Sequence, residues 1–183
     1  MSTLSKVYSI LLGNKKEEFV NHPEILIRPA EASDGEALLH LIDALADFEK
    51  LPKPDAAARK RLLLDAFGPR KRIDVFLAVL GGRTVAYAIV FETYSSFRAL
   101  PSLYLEDIFV LSDYRGRQVG HRLFTYCVNE AYRRGCGRME WAVLDWNRTA
   151  IDFYERAGAR QLKEWLYYRL VRTDMEKIIQ KEN

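Results

Sequence analysis

Apolar residues recur at two periods along this chain, and segments of the two periods alternate. Steps of three and four residues predict helices over residues 33–48, 56–67, 119–134 and 149–156. Short apolar runs rich in β-branched and aromatic residues predict strands over residues 25–28, 75–80, 85–94, 103–110, 139–144, 161–162 and 167–171. The order β-α-α-β-β-β-α-β-α-β-β is typical of a mixed sheet with helices on both faces, and therefore of an α/β (α+β) fold.

Capping and turn residues mark where these elements begin and end. Ser33 and Glu36 have the spacing of a capping box, which predicts the start of the first helix. Asp55 is a good N-cap for the second helix, Gly81–Gly82 predicts a hairpin between two strands, and Gly158 predicts the end of the short helix. The buried stripe of the first helix is expected to contain Leu38, Leu41, Ile42, Leu45 and Phe48.

The element pattern leaves both ends of the chain outside the predicted fold. Residues 1–24 are polar with one small apolar cluster, which fits either a frayed tail or a short helix packed on a partner. Residues 175–183 are polar and are predicted to fray. We therefore expect an N-terminal extension over residues 1–24, one domain over residues 25–172 and a tail over residues 173–183. A chain of this length can bury a single hydrophobic core.

Composition and charge narrow the class of protein. The 183 residues are 49% hydrophobic and 29% charged, which is typical of soluble globular proteins. The formal net charge of +3 (28 basic minus 25 acidic residues) is too small to indicate nucleic-acid binding. Two cysteines do not make a secreted disulfide framework, three histidines lack metal-ligand spacing, and no apolar run is long enough to span a membrane. We expect a cytoplasmic protein with no metal site, no nucleic-acid partner and no membrane partner.

The stretch from Leu103 to Gly120 carries the strongest chemical pattern. An apolar strand ends in a basic loop, Arg115–Gly120, and a helix begins at once. Unpaired amides and the positive end of the helix dipole make such a junction favourable for an anion. The dinucleotide pattern Gly-x-Gly-x-x-Gly and the triphosphatase pattern Gly-x-x-x-x-Gly-Lys-Ser/Thr are both absent. The alternative is an ordinary strand-to-helix turn that uses two glycines for their backbone angles.

The same stretch resembles the acetyl-coenzyme A loop of the GNAT acetyltransferases, Gln/Arg-x-x-Gly-x-Gly/Ala. Arg115 takes its first position and Gly120 its last, while Gln118 stands in place of the first glycine. Residues 103–116 and 146–159 are similar, in the same order, to the diamine (spermidine/spermine) acetyltransferases and their bacterial relatives. The resemblance covers most of the chain. It implies a GNAT fold with a mixed, mostly antiparallel sheet splayed at its central strand, acetyl-coenzyme A (acetyl-CoA) as co-substrate, and a homodimer.

The resemblance assigns the cofactor to the loop and the preceding strand. Amides of Arg117–Gly120 would bind pyrophosphate, and the arginines of the loop either add charge or are solvated. Gln118 is compatible with this role if its φ is negative. An amide of Ile108–Val110 would donate to the thioester oxygen, and Asn147 is a helix cap, a cofactor contact or both. The predicted cofactor-binding residues are Ile108, Phe109, Val110, Arg115, Gly116, Arg117, Gln118, Val119, Gly120, Asn147 and Tyr154.

Two residues are predicted to move protons during acetyl transfer. An alkylammonium with a pKa of about 10.4 must lose a proton, and the resemblance makes Glu106, a charge within an apolar strand, its acceptor through water. A structural carboxylate is the alternative. Tyr154 matches the family's general acid for the leaving thiolate, because a thiol pKa of about 8.5 lies near a phenol pKa of about 10. Periodicity alone would place Tyr154 in the core.

The residues on the substrate side follow from the same resemblance. Glu49 and Asp107, with Glu106, match acids that meet the substrate, although Glu49 also fits a solvated helix end. Tyr168 stands where the diamine enzymes have tryptophan, with Trp165 in an ambiguous register. We therefore expect direct N-acetylation of a small primary amine, such as a polyamine, a diamine or a thialysine-like compound. A protein N-terminus or lysine as the acceptor, and a non-catalytic acyl-CoA sensor, are the alternatives.

Overall fold

A computed structural model describes residues 24–182 of this chain. The described residues form two units, which meet in the sequence between Trp141 and Ala142. The first unit contains a sheet with three helices, and the second contains two helices. Nearly all of the predicted N-terminal extension lies outside the described residues.

The first unit is built on a five-stranded sheet in the order β1-β2-β3-β4-β5. Neighbouring strands are antiparallel except for β4 and β5, which are parallel. This mixed, mostly antiparallel sheet confirms the predicted fold class. The strands are β1 (Ile25–Pro29), β2 (Asp74–Leu80), β3 (Arg83–Ser95), β4 (Leu100–Val110) and β5 (Met139–Glu140).

Helices cover both faces of this sheet. Side chains alternate between the faces of a strand, and in β2 Leu77 belongs to the core cluster that contains Leu38 and Leu41 of α1 (Gly35–Glu49). The adjacent Phe76 makes an edge contact with Tyr126 of α3 (Val119–Arg133), with ring centroids 4.9 Å apart. Helix α2 (Ala56–Phe67) contributes Ala66 to the same core cluster as α1. The sheet therefore separates α1 and α2 from α3.

The start of α1 differs from the prediction. The expected capping box of Ser33 and Glu36 does not form, because a 3₁₀ turn over Ala32–Asp34 precedes the helix. Asp34 instead accepts the N–H of Glu31 at 2.8 Å and both terminal nitrogens of Arg28 at 2.6 and 2.8 Å. A bidentate arginine is a strong partner for a carboxylate, and the Arg28 side chain depresses the pKa of Asp34.

A β-bulge interrupts the pairing of β4 with β3. Ile89 lies opposite Asp107 and Val90 lies opposite Leu105, so Glu106 is the extra residue on β4. A bulge disrupts the ladder and bends the strand that carries it. On its other side β4 pairs with β5 only through Leu103 and Tyr104. The part of β4 that follows the bulge is therefore paired only on its β3 side within residues 24–141.

The second unit contains α4 (Arg148–Arg156) and α5 (Arg172–Glu182). Predicted strands over residues 161–162 and 167–171 are wrong, and the predicted strand over residues 139–144 shrinks to the two residues of β5. Apolar side chains from Leu162 to Val171 are exposed, so their spacing does not correspond to one buried sheet face. Most of the predicted tail lies in α5, on which Arg172 pairs with Glu176 and Lys177 pairs with Asp174.

Candidate active site

The loop before α3 has the geometry of an anion site. Residues 115–118 are exposed, and the first amide of α3 with an intrahelical acceptor belongs to Arg122, whose N–H donates to the carbonyl of Gln118 at 3.0 Å. The N–H groups of Val119, Gly120 and His121 precede that bond and therefore have no acceptor within the helix. A helix of 15 residues also directs the positive end of its dipole at this loop.

Gln118 does not have the negative φ that the sequence analysis required. Its φ is 65° and its ψ is 0°, which places it in the left-handed region as the residue before α3. The left-handed conformation costs a non-glycine residue about 1–2 kcal/mol. Glycine adopts it freely, which gives a physical reason for the glycine that the resembling family has at this place. This chain adopts the left-handed conformation here at the expense of backbone strain.

The Arg115 side chain packs toward α1 instead of along the exposed loop. Its Nε donates to the carbonyl of Val110 at 3.0 Å, and its guanidinium carbon lies 4.7 Å from the ring centroid of Phe48 and 5.5 Å from that of Phe109. The guanidinium of Arg117 lies 5.5 Å from the ring centroid of Tyr114. The two arginines of the loop therefore have different surroundings, and Arg115 connects the loop to the end of α1.

Two predicted acidic residues, Glu49 and Glu106, act electrostatically on a third, Asp107. Glu49 is the last residue of α1, Glu106 is the exposed extra residue of the bulge, and Asp107 follows it, half-buried, on β4. Burial above all, together with the charges of Glu106 and Glu49, raises the pKa of Asp107 to about 6, against a hydrogen bond that lowers it. The structure thus brings the predicted proton acceptor and two predicted substrate acids into one electrostatic cluster.

The hydrogen bond comes from Tyr87, a residue that the sequence analysis did not single out. The Tyr87 hydroxyl donates to Oδ2 of Asp107 at 3.3 Å from within the core. A signal existed in the sequence, because Tyr87 is the only side chain with a hydroxyl between Val85 and Val90. Its pairing could not be predicted, since the bulge at Glu106 decides which acid lies opposite β3.

The outer edge of β4 presents backbone amides beyond the bulge. The N–H of Leu111 donates to the carbonyl of Val85 at 3.0 Å. Alternate residues of an antiparallel strand face the same neighbour, so Phe109 also faces β3, while the amides of Ile108 and Val110 face away from it. The carbonyl of Val110 accepts Arg115 on that outer side, which agrees with this assignment. In the described part of the first unit no strand pairs with these amides.

The remaining predicted site residues belong to the second unit. Asn147 is the N-cap of α4, and its side chain accepts the N–H of Ala150 at 3.2 Å. Tyr154 is buried, with its ring centroid 5.3 Å from that of Phe153 in an edge contact. Tyr168 is 85% exposed and lies in an irregular segment, not in the predicted strand. The capping interpretation of Asn147 is therefore confirmed.

Residues 24–182 contain neither a cluster of metal-ligating side chains nor a helix that could span a membrane. No three histidine, cysteine, aspartate or glutamate side chains lie close enough together to hold a metal ion. Every helix in this range is too short or too polar to cross a bilayer.

Replacing Asp107 with asparagine is expected to stabilise the fold at neutral pH. A carboxyl whose folded pKa of about 6 exceeds its usual value of 3.8 destabilises the folded state above that pKa, by up to about 3 kcal/mol, and the cost disappears as pH falls below 4. Asparagine keeps an acceptor for Tyr87 and carries no charge. Urea unfolding of both proteins at pH 4 and pH 8 measures the difference.

The matched control for this prediction is Glu155→Gln, which removes an exposed carboxylate from α4. The stability of this variant should follow the wild type at both pH values. If the wild type is as stable as Asp107→Asn at pH 8, the raised pKa of Asp107 is contradicted.

Comparisons with known proteins agree on one family. Residues 38–159 match the acetyltransferase (GNAT) family. The chain is 33% identical over 148 residues to the thialysine N-epsilon-acetyltransferase of Sus scrofa, which covers 76% of this chain and 86% of that protein. It is 41% identical over 106 residues to the L-ornithine N5-acetyltransferase of Arabidopsis thaliana, covering 58% of this chain and 43% of that protein.

A solved structure shows the same fold. The crystal structure of a probable acetyltransferase superposes with a TM-score of 0.71 and 23% sequence identity, covering 80% of this chain and 97% of that chain. At this identity the likeness establishes the shared architecture only.

Proposed function

Because this chain belongs to the GNAT acetyltransferase family, for which acetyl-CoA is the co-substrate, we propose that it acetylates the terminal primary amine of a small molecule. The observation that carries this proposal is the cluster of Glu49, Glu106 and Asp107 at the end of α1 and the bulge of β4. Carboxylates attract an ammonium group, and a strand bulge is a common way to direct side chains into a site.

Acetyl-CoA fits the loop before α3 on physical grounds. The amides of Val119 and Gly120, together with the exposed loop, favour a pyrophosphate. The outward amides of Ile108 and Val110 are donors of the kind that stabilise the oxygen of a thioester during attack. The co-substrate supplies an activated acetyl group, and the chain supplies donors for its charged and carbonyl oxygens.

The proposed reaction requires two proton transfers by side chains. The amine nitrogen bonds to the acetyl carbon while the carbon–sulfur bond breaks. Glu106 takes the proton of the ammonium, directly or through one water, and Asp107 holds the ammonium by charge. The Tyr154 hydroxyl donates a proton to the leaving thiolate, and the second proton that the nitrogen loses as the amide forms returns through solvent to the tyrosinate. No cysteine lies in either matching motif, so direct attack by the amine accounts for the transfer.

Within small amines we favour an amino acid with a terminal amino group as the acceptor. The relatives in Sus scrofa and Arabidopsis thaliana act on thialysine and ornithine, both of which carry such an amine. These compounds and the polyamines all carry a primary ammonium group, which carboxylates attract. A polyamine therefore remains the natural comparison in any test of specificity.

The test is acetyl-CoA-dependent thiol release by the full chain against a panel of acceptors. The panel contains thialysine, ornithine, lysine, spermidine, spermine, short diamines and basic peptides. We expect kcat/KM for at least one small amine to exceed that for every peptide by about 100-fold or more, because specific polar groups discriminate strongly between acceptors. Turnover of peptides alone would assign a protein acceptor. Acetyl-CoA binding without any turnover would identify a sensor.

A further inference from the structure

Tyr87 brings one polar group into an apolar core. It lies in the middle of β3, is fully buried, and shares its core cluster with Leu38, Leu41 and Leu77. Its ring centroid lies 6.5 Å from that of Phe109. Phenylalanine would fill the same space without a hydroxyl, and a buried hydroxyl costs free energy unless it has a partner. Packing alone therefore does not explain a tyrosine at this position.

The partner of that hydroxyl is the carboxylate of Asp107, whose Oδ2 accepts it at 3.3 Å. Burial and the negative charges of Asp107 and Glu49 raise the pKa of Tyr87 far above its usual value. The hydroxyl is consequently protonated at neutral pH. Tyr87 is therefore a donor to Asp107 at that pH.

The three acids of the cluster differ in their hydrogen bonding. Groups that act on Asp107 are Tyr87 of β3, Glu49 of α1 and Glu106 of β4. The two glutamates oppose its ionisation, and the hydrogen bond from Tyr87 favours it. Among residues 24–182, Asp107 is the one member of this acidic cluster that accepts a side-chain hydrogen bond, because Glu49 and Glu106 make none.

We propose that Tyr87 is a positioning residue that orients Asp107 and keeps it ionised, so that Asp107 is the carboxylate fixed to receive the ammonium group of the acceptor. The proposal rests on the proposed amine acetylation for its functional consequence. The hydrogen bond itself is independent of any substrate. Tyr87 thus acts through Asp107 and does not contact the reacting atoms.

The experiment is Tyr87→Phe, which fills the same core space and is expected to fold. Carbon-13 NMR of carboxyl-labelled aspartates should show the Asp107 titration moving upward by about 0.5 to 1 pH unit, because the lost hydrogen bond stabilised the charged form. The acidic limb of kcat/KM for the amine should move upward by the same amount. KM for the amine should rise several-fold at pH 6, while KM for acetyl-CoA should stay within twofold.

The matched control is Tyr126→Phe, which removes a hydroxyl from a half-buried ring on the α3 side of the sheet. Neither the Asp107 titration nor the pH profile should change in this variant. An unchanged Asp107 titration in folded Tyr87→Phe would overturn the proposal. Failure of the wild type to acetylate any small amine would instead overturn the proposed function, since the NMR titration needs no turnover.

Discussion

Replacing Tyr154 with phenylalanine is expected to lower kcat about 100-fold and to leave the affinity for acetyl-CoA within about twofold. A positioned general acid contributes roughly 10²–10⁴ to the rate, and without it the leaving thiolate must take its proton from water. Phenylalanine retains a buried ring and the edge contact with Phe153. Steady-state kinetics with a saturating amine and calorimetric titration with acetyl-CoA measure the two quantities.

The control for Tyr154→Phe removes the hydroxyl of an exposed tyrosine, Tyr132. Tyr132 of α3 is 87% exposed, and Tyr132→Phe should retain full activity. Thermal unfolding should give similar midpoints for both variants, which separates chemistry from stability. Unchanged turnover in Tyr154→Phe would assign Tyr154 to packing, as its helical periodicity alone indicates.

Elements with local signals were predictable from the sequence. Helix α2 has the predicted bounds because its Asp55 cap accepts the N–H of Ala58 at 2.7 Å and Gly68 follows its end. The hairpin at Gly81–Gly82 forms because both glycines have positive φ, at 59° and 78°. In each case neighbouring residues decide the structure, so no distant contact was needed.

Elements that depend on distant partners were not predictable. The segment over residues 161–171 has apolar and aromatic residues at strand-like spacing, but a strand forms only where a neighbour pairs with it. The apolar side chains of this segment are exposed. The prediction for the start of α1 was wrong for a similar reason. Arg28 of β1 holds Asp34 in a turn that sequence spacing alone does not reveal.

The candidate site likewise contains residues that the sequence could indicate and contacts that it could not. The loop residues and the three acids could be named because they match motifs over continuous stretches of sequence. The donation from Tyr87 to Asp107 could not, because it depends on where the bulge shifts the register between β3 and β4. The positive φ of Gln118 is also a property of the folded loop, which a side chain's identity does not fix.

Gly120→Glu is expected to weaken acetyl-CoA binding by about 100-fold or more without weakening the fold. Gly120 is the second residue of α3, where a carboxylate interacts favourably with the helix dipole. The same carboxylate would occupy the anion site and repel a pyrophosphate. Calorimetric titration with acetyl-CoA measures the affinity, and urea unfolding checks that stability is unchanged or slightly higher.

The variants Gly120→Ala and Gly120→Gln separate the effect of side-chain size on acetyl-CoA binding from the effect of charge. A Cβ at residue 120 would lie 3.5 Å from Cγ2 of Val110, an ordinary contact, so alanine should bind acetyl-CoA nearly as well as glycine. Glutamine has almost the size of glutamate but no charge. The Gly120→Gln variant should therefore bind acetyl-CoA more tightly than Gly120→Glu. Equal losses in the glutamine and glutamate variants would mean that bulk alone blocks the loop. Normal binding by Gly120→Glu would place the phosphate site elsewhere, because a carboxylate and a pyrophosphate cannot share these amides.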